Sequence, residues 1–276
     1  MVWQIAPFGF RSGFSGYKSP AMSSKLIYCP VVLVIGLCLL PTRSFSQQYN
    51  YAPNAIHFCV LEKKHDSSLS GGFGRGGDVN SLELQAACSP VKHGAVMVNY
   101  FSARRKAVKT QQAEGTSSQF AEIGIGAYES AARGTGSLFI GYGQGSIFSN
   151  YHLNRTVCFD LKRWFIQPAL VFQSHNFEWG LALRFTHLIY AHAEVDFSIT
   201  ESDLRSVQAI ESDSPFFVPE FGVHAGIVFR PCTFSLNLTN LFYDVNTYNF
   251  ARINNTFLLT VDLGTIYQKK KKPNVQ

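Results

Sequence analysis

Hydrophobic and polar residues alternate along most of the chain. From Phe177 to Phe197 the odd positions are apolar at ten of eleven places, with His187 the exception, while the even ones include Glu178, Gly180, Arg184, Thr186, Glu194 and Asp196. Successive side chains of a strand point to opposite faces, so period two over such a run defines one greasy face; a helix would scatter the same residues around its circumference. The pattern recurs. Phe234, Leu236 and Leu238 alternate with Ser235, Asn237 and Thr239, and Phe257, Leu259, Val261 and Leu263 with Leu258, Thr260, Asp262 and Gly264. Phe221–Phe229, Ile166–Gln173 and Ala121–Ala127 behave alike, and Leu82–Cys88, Ala95–Phe101 and Leu138–Gly145 do so in weaker form.

Ten strands are predicted, at 67–75, 81–88, 94–103, 119–130, 136–147, 163–174, 177–188, 217–229, 232–242 and 255–266. Many have the 9–11 residues that cross a bilayer at a tilt, and an even count suits a single-chain bacterial barrel. The predicted connections are long at 104–118, 148–162, 189–216 and 243–254, and tight at 131–135, 175–176 and 230–231. Outer-membrane barrels sort their loops in this way, with short periplasmic turns and longer extracellular loops. The predicted fold class is therefore all-β: an antiparallel up-and-down transmembrane β-barrel of about ten strands, with eight to twelve compatible with the pattern. A soluble secreted β-barrel binding module or sandwich is the alternative.

Composition sharpens this picture. Charged residues make up 15% of the 276 and aromatics 14%, with 22 glycines, yet mean hydropathy is only +0.02. A barrel shows lipid only alternate residues, so its average stays near neutral, whereas helical spans need about 20 apolar residues in a row. The net charge of +6 draws on a basic tail, Lys269–Lys272, and on the N-terminus. No stripe of Lys and Arg interleaves with aromatics, so nucleic acid is excluded as a partner. The cysteines (Cys29, Cys38, Cys59, Cys88, Cys158, Cys232) include no C-x-x-C, so no metal site and no cofactor are expected.

Residues 1–46 read as a leader. Leu26–Leu40 is a short apolar run after Lys25, and Ser44-Phe45-Ser46 offers a cleavage site before Gln47. Met22 would give a conventional start. Cys38 raises a lipoprotein reading, but Leu37 is large for that motif and plain cleavage ranks first. Residues 47–66 then form a periplasmic N-terminal segment that caps the mouth or meets a partner, residues 67–267 the barrel, and residues 268–276 the basic tail.

Tyr51-Ala-Pro-Asn54, Leu61-Glu62-Lys63, Leu82-Glu-Leu-Gln85, Ser89-Pro90, His93, Asn99-Tyr100 and Glu122-Ile-Gly-Ile-Gly126 resemble uncharacterised outer-membrane β-barrel proteins of the Bacteroidota. The resemblance covers most of the chain after the leader. It implies a lipoprotein-type leader, with the Cys close before the Tyr-x-Pro-Asn segment; this chain has Gln47-Gln48-Tyr49-Asn50 there. It implies no catalytic residues.

With the greasy face toward lipid, the opposite face fills the lumen. It carries Glu83, Glu122, Glu178, Arg184, Glu220, His224 and Asp262, with Gln85, Gln167 and Gln173. Enclosed charges must be paired or hydrated, so a carboxylate network around Arg184 is expected. His192, Glu194 and Asp196 share one strand face and form a candidate rim cluster of the acid–base kind. Tyr128, Phe139, Tyr142, Trp164, Phe165 and Trp179 could supply interfacial girdles. No catalytic constellation is complete, and the expected role is non-enzymatic: structural or accessory, with outer-membrane lipids and other outer-membrane or periplasmic proteins as partners. A narrow small-solute or cation conduit and a rim enzyme are the alternatives.

Overall fold

The structure is a computed structural model. It describes residues 51–76, 79–105, 115–151, 155–195, 201–242, 253–264 and 266. The chain divides into two units, Met1–Pro41 and Thr42–Gln276, and every described residue belongs to the second. The leader, Cys38, Gln47–Asn50, Asp196 and the tail Lys269–Lys272 lie outside the described residues.

Ten strands and one helix follow in order: β1 (Ser67–Gly76), β2 (Val79–Val91), β3 (Gly94–Arg105), β4 (Gly115–Ala131), β5 (Gly134–Tyr151), β6 (Arg155–Gln173), β7 (Phe177–Val195), α1 (Glu201–Asp213), β8 (Phe216–Phe229), β9 (Cys232–Leu241) and β10 (Ile253–Asp262). Each strand pairs antiparallel with its sequence neighbours, and β1 pairs with β10 from Ser68↔Asp262 to Arg75↔Asn255. The sheet is thereby a closed barrel with up-and-down topology. Closure leaves no edge strand with unpaired N–H and C=O groups.

One end carries only tight links, at 92–93, 132–133, 174–176 and 230–231. The other carries α1 and the longer connections. Sorting is less complete than expected there, because β5 and β6 stay paired up to Tyr151↔Arg155. The predicted long connection 148–162 is mostly strand. Alternation missed it because the outward side chains of this upper part are no longer greasy.

That change is systematic. On β6 the outward residues run Phe172, Leu170, Pro168, Ile166, Trp164 and then Lys162 and Asp160, while the inward ones run from Gln167 and Arg163 to Leu161, Phe159 and Val157. On β7 the outward run ends at Phe185, and inward Arg184 and Thr186 give way to Leu188 and Tyr190. The lower half, nearest the tight turns, is apolar outside and mixed inside, with polar groups beside two small apolar clusters. The upper half is polar outside and apolar inside. There Phe101, Ile147, Phe159, Leu188, Tyr190 and Phe216 form one core, and α1 buries Val207 and Ile210 in it.

The lower lumen is filled by the chain's own N-terminal segment. Tyr51, Ala55, Ile56, Cys59 and Leu61 are all buried. Cys59 and Leu61 pack with Ala87, Met97, Phe139 and Phe165, and Ile56 with Ala169 and Ala182. This corrects the expectation that residues 47–66 stand outside the barrel as a periplasmic segment: from Tyr51 to Leu61 they run inside it. A ring of this size leaves interior volume, and a filled interior buries apolar area that an empty one would leave wet.

Glycines make the room. Gly143 on β5 stands between Glu122 on β4 and Arg163 on β6. A Cβ there would lie 2.6 Å from the Phe120 ring and 2.7 Å from Glu122 Cγ, so only glycine lets Arg163 reach across β5 to Glu122. Gly143→Val is expected to destabilise the barrel by about 1–3 kcal/mol, as overpacking does. The check is a lower temperature for the gel-mobility change of the folded barrel on heating.

Candidate functional site

The polar centre of the lumen lies where the barrel changes from one polarity to the other. Arg163 and Arg184, at 1% and 0% side-chain exposure, are among the largest fully buried side chains. Arg163 forms an ion pair with Glu122, its Nε donating at 2.8 Å. Arg184 forms one with Glu220, its Nε donating at 2.7 Å. The pairs are cross-linked: Arg163 Nη1 lies 4.0 Å from Glu220, and Arg184 Nη1 lies 4.0 Å from Glu122. The Arg163 guanidinium also sits 4.4 Å from the centre of the Phe120 ring, a cation–π placement.

The N-terminal segment completes this centre. The Tyr51 hydroxyl accepts from Arg163 Nη1 at 2.5 Å and donates to Glu220 at 2.6 Å. Asn54 accepts from Arg163 Nη2 at 2.7 Å and donates to Glu122 at 3.0 Å. Arg184 Nη2 donates to the Asn54 carbonyl at 3.0 Å. A buried guanidinium is tolerable only when its donors are met and its charge is paired. Tyr51 and Asn54 meet donors that the two carboxylates alone would leave open.

Among the described residues Glu83 has no arginine at hydrogen-bond distance. Its carboxylate accepts from the Ala55 N–H at 2.9 Å, from Asn254 at 2.9 Å and from Thr256 at 3.0 Å. Lower down, His224 lies between Asn237 Oδ1 at 2.5 Å and Glu178 at 2.9 Å, and Phe58 stacks on its ring with centroids 5.0 Å apart. On that side of the segment a cavity of about 90 Å³, room for several waters, lies beside Phe58, Glu178, His224, Ser235 and Asp262.

Six of the seven lumen residues expected from sequence, Glu83, Glu122, Glu178, Arg184, Glu220 and His224, are buried in the interior. Asp262, the seventh, lines the luminal cavity with Glu178 and His224. It ends β10 at the tight-turn mouth, half-buried, with its N–H donating to the Pro231 carbonyl at 2.8 Å. Arg184 is not the sole centre, since Arg163 is its equal. The signal for Arg163 was present: it shares parity with Phe165 and Gln167, inside.

Of the candidate rim cluster, His192 and Glu194 share one exposed face of β7, and Asp196 lies outside the described residues. A register shift between Cys158 and Asp160 interrupts the β6–β7 ladder, and His192 takes φ 53°. Beyond it the faces exchange: Ala193 and Val195 turn toward the upper core, while His192 and Glu194 are exposed. The nearest acid recorded for His192 is Asp160, at 3.8 Å. Of the six girdle candidates, Tyr128, Phe139 and Phe165 point inward. Tyr142 and Trp164 stand paired outside at 4.7 Å, and Trp179 stacks on Phe172 at 4.3 Å. The four described cysteines are free. Among the described residues no group of three or more His, Cys, Asp or Glu is placed to hold a metal.

No protein-family model and no curated protein matches the chain. Among solved structures it is similar to the outer membrane protease OmpT of Escherichia coli, over 72% of this chain and 92% of that one, at 8% identity and a TM-score of 0.36. A likeness of that size bears on neither fold nor activity; the closed ten-stranded barrel rests on the strand pairing itself.

Removing one partner of a buried ion pair leaves an uncompensated charge and costs about 3–5 kcal/mol. Glu122→Gln and Arg163→Met are each expected to lose stability on that scale in urea titrations. The double variant Glu122→Gln/Arg163→Met should lose less than the sum of the two, because neither charge is then stranded.

Proposed function

We propose that the chain is an outer-membrane barrel with a structural or accessory role, closed to solutes, in contact with outer-membrane lipids and with other outer-membrane or periplasmic proteins. Membrane placement is supported above all by the outward belt. Leu69, Phe73, Ile123, Ile125, Leu138 and Ile140 are exposed on the lower half of the closed wall, where a water-soluble barrel would be polar. On β6 the apolar run from Trp164 to Phe172 spans about 26 Å along the strand, from a rise of about 3.3 Å per residue, and the β7 run from Phe177 to Phe185 has the same length. At the roughly 35–45° tilt of such strands that becomes a band of about 20 Å between the flanking aromatics, against the roughly 25 Å of known barrels. The Tyr142–Trp164 and Phe172–Trp179 pairs bracket it, as interfacial aromatics do.

A structural role, in place of the conduit, is favoured by two seals in series. The lower lumen holds the Tyr51–Leu61 segment fixed by Arg163 and Arg184, and the upper lumen holds an apolar core under α1. An ion would have to displace both.

Cell fractionation tests the placement. The protein should sediment with outer membranes and migrate differently on gels before and after boiling; release into the soluble fraction without a shift would refute it. In planar bilayers the purified protein should give no stepwise conductance. Steps altered by Glu122→Gln or Glu220→Gln would favour the conduit.

A further inference from the structure

From Ala52 to Leu61 the luminal segment forms no β-ladder with the wall. Its backbone is read instead by wall side chains from four different strands. Glu83 on β2 accepts the Ala55 N–H, and Thr239 on β9 the Ile56 N–H at 3.3 Å. Arg184 on β7 donates to the Asn54 carbonyl, Gln85 on β2 to that of Ala55 at 3.1 Å, Asn237 on β9 to that of Ile56 at 3.3 Å, and Gln167 on β6 to that of His57 at 3.0 Å. Asn254 and Thr256 on β10 hold Glu83 in place, and Glu122 on β4 accepts from the Asn54 side chain. Four consecutive residues, Asn54 to His57, thus have their carbonyls met by side chains.

The wall also has sockets for alternate side chains. Ile56 and Phe58 lie against Gly222 and Gly180. A Cβ on Gly222 would stand 2.9 Å from Ile56 Cδ1, and one on Gly180 3.0 Å from Phe58 Cδ1. Ala169 and Ala182 complete the Ile56 socket, and His224 stacks on Phe58. Tyr51 and Asn54 are held by the arginines and carboxylates. Main-chain bonds supplying affinity and alternate sockets supplying selectivity describe a receptor for an extended peptide. The link to β1, through Glu62, Lys63, Lys64 and His65, is exposed.

We propose that the lower lumen is a peptide-binding site, that residues 51–61 are its tethered ligand, and that it accepts from another polypeptide an extended segment of the same chemistry. The ligand class is a chain carrying a phenol, then a carboxamide three residues later, then a branched aliphatic and an aromatic at successive two-residue steps, as in Tyr51-x-x-Asn54-x-Ile56-x-Phe58. Entry is at the tight-turn mouth, since α1 and the apolar core close the other end. The tether gives the resident segment an effective concentration of order millimolar, so a free competitor meets a strong rival until the link is cut.

The test uses the full chain with a site-specific protease sequence inserted between Lys63 and Lys64, folded in detergent before cleavage. A fluorescent synthetic peptide of residues 51–63 is then added. The cleaved barrel should keep its gel-mobility shift and bind the peptide saturably; the uncut barrel should bind at least tenfold more weakly. Peptides carrying Phe58→Ala or Asn54→Ala should also bind at least tenfold more weakly, and these changes leave the barrel's own folding untouched. Loss of the mobility shift on cleavage would overturn the proposal, making the segment an integral part of the core. Retention of the cut segment with no uptake of labelled peptide, or equal uptake of all peptides, would overturn it as well.

Discussion

Two guanidinium groups buried inside a closed barrel set the terms for everything around them. Each must be paired, and the donors left over seek oxygens; Arg184 Nη1 alone of this set has none within hydrogen-bond distance among the described residues, standing 4.0 Å from Glu122. Glu122 and Glu220 supply the charge, but carboxylates on the wall cannot surround a cation at the centre of the ring. Tyr51 and Asn54 reach it from within. The N-terminal segment is thus held by the same demand that the arginines create, and the lower lumen cannot be emptied without exposing charge. The glycines of β5, the small residues beside Ile56 and the Asn254 and Thr256 side chains facing Glu83 make sense as accommodations to this centre.

The network also marks the level at which the wall turns inside out. Below it the apolar surface faces outward and the interior is mixed; above it the arrangement is that of a water-soluble protein, with Phe159, Leu188 and Tyr190 inside and Asp160 and Lys162 outside. One continuous sheet serves two solvents. Pairing through the transition is possible because the backbone ladder is indifferent to which face is greasy.

Much of this was legible in the sequence. Period two identified ten strands, because in the lower half the outward face is apolar over several successive positions of each strand. Glu83, Glu122, Glu178, Arg184, Glu220 and His224 were assigned inward by parity alone, and the structure places them there. Arg163 went unnoticed because it falls at the predicted start of its strand, beside Trp164 and Phe165, where the two faces change character. The face exchange at the end of β7 had a different reason for going unread: between Ala191 and Glu194 that strand carries one residue more than β6 does between Cys158 and Asp160, and a bulge is a property of two strands. The fate of Tyr51–Leu61 was beyond local reading. An extended segment whose bonds all come from wall side chains has no periodicity of its own, although Tyr51, Asn54, Glu83, Gln85, Asn99 and Glu122, which carried the resemblance, all meet in its neighbourhood.

The separations along the chain in this centre have a consequence for biogenesis. Tyr51 bonds to a residue 169 positions away, and Ile56 to ones 181 and 183 away. The cradle for the segment does not exist until β8 and β9 have joined the sheet and β10 has met β1. The stretch of lumen filling that leaves the ribosome before any strand is therefore the piece that settles after all of them. Loop-closure entropy opposes such distant contacts until the intervening structure has formed. During that interval two arginines stand half-satisfied in an unfinished wall, so the nascent barrel must complete its circle in the company of water and can dry out only when its beginning comes home.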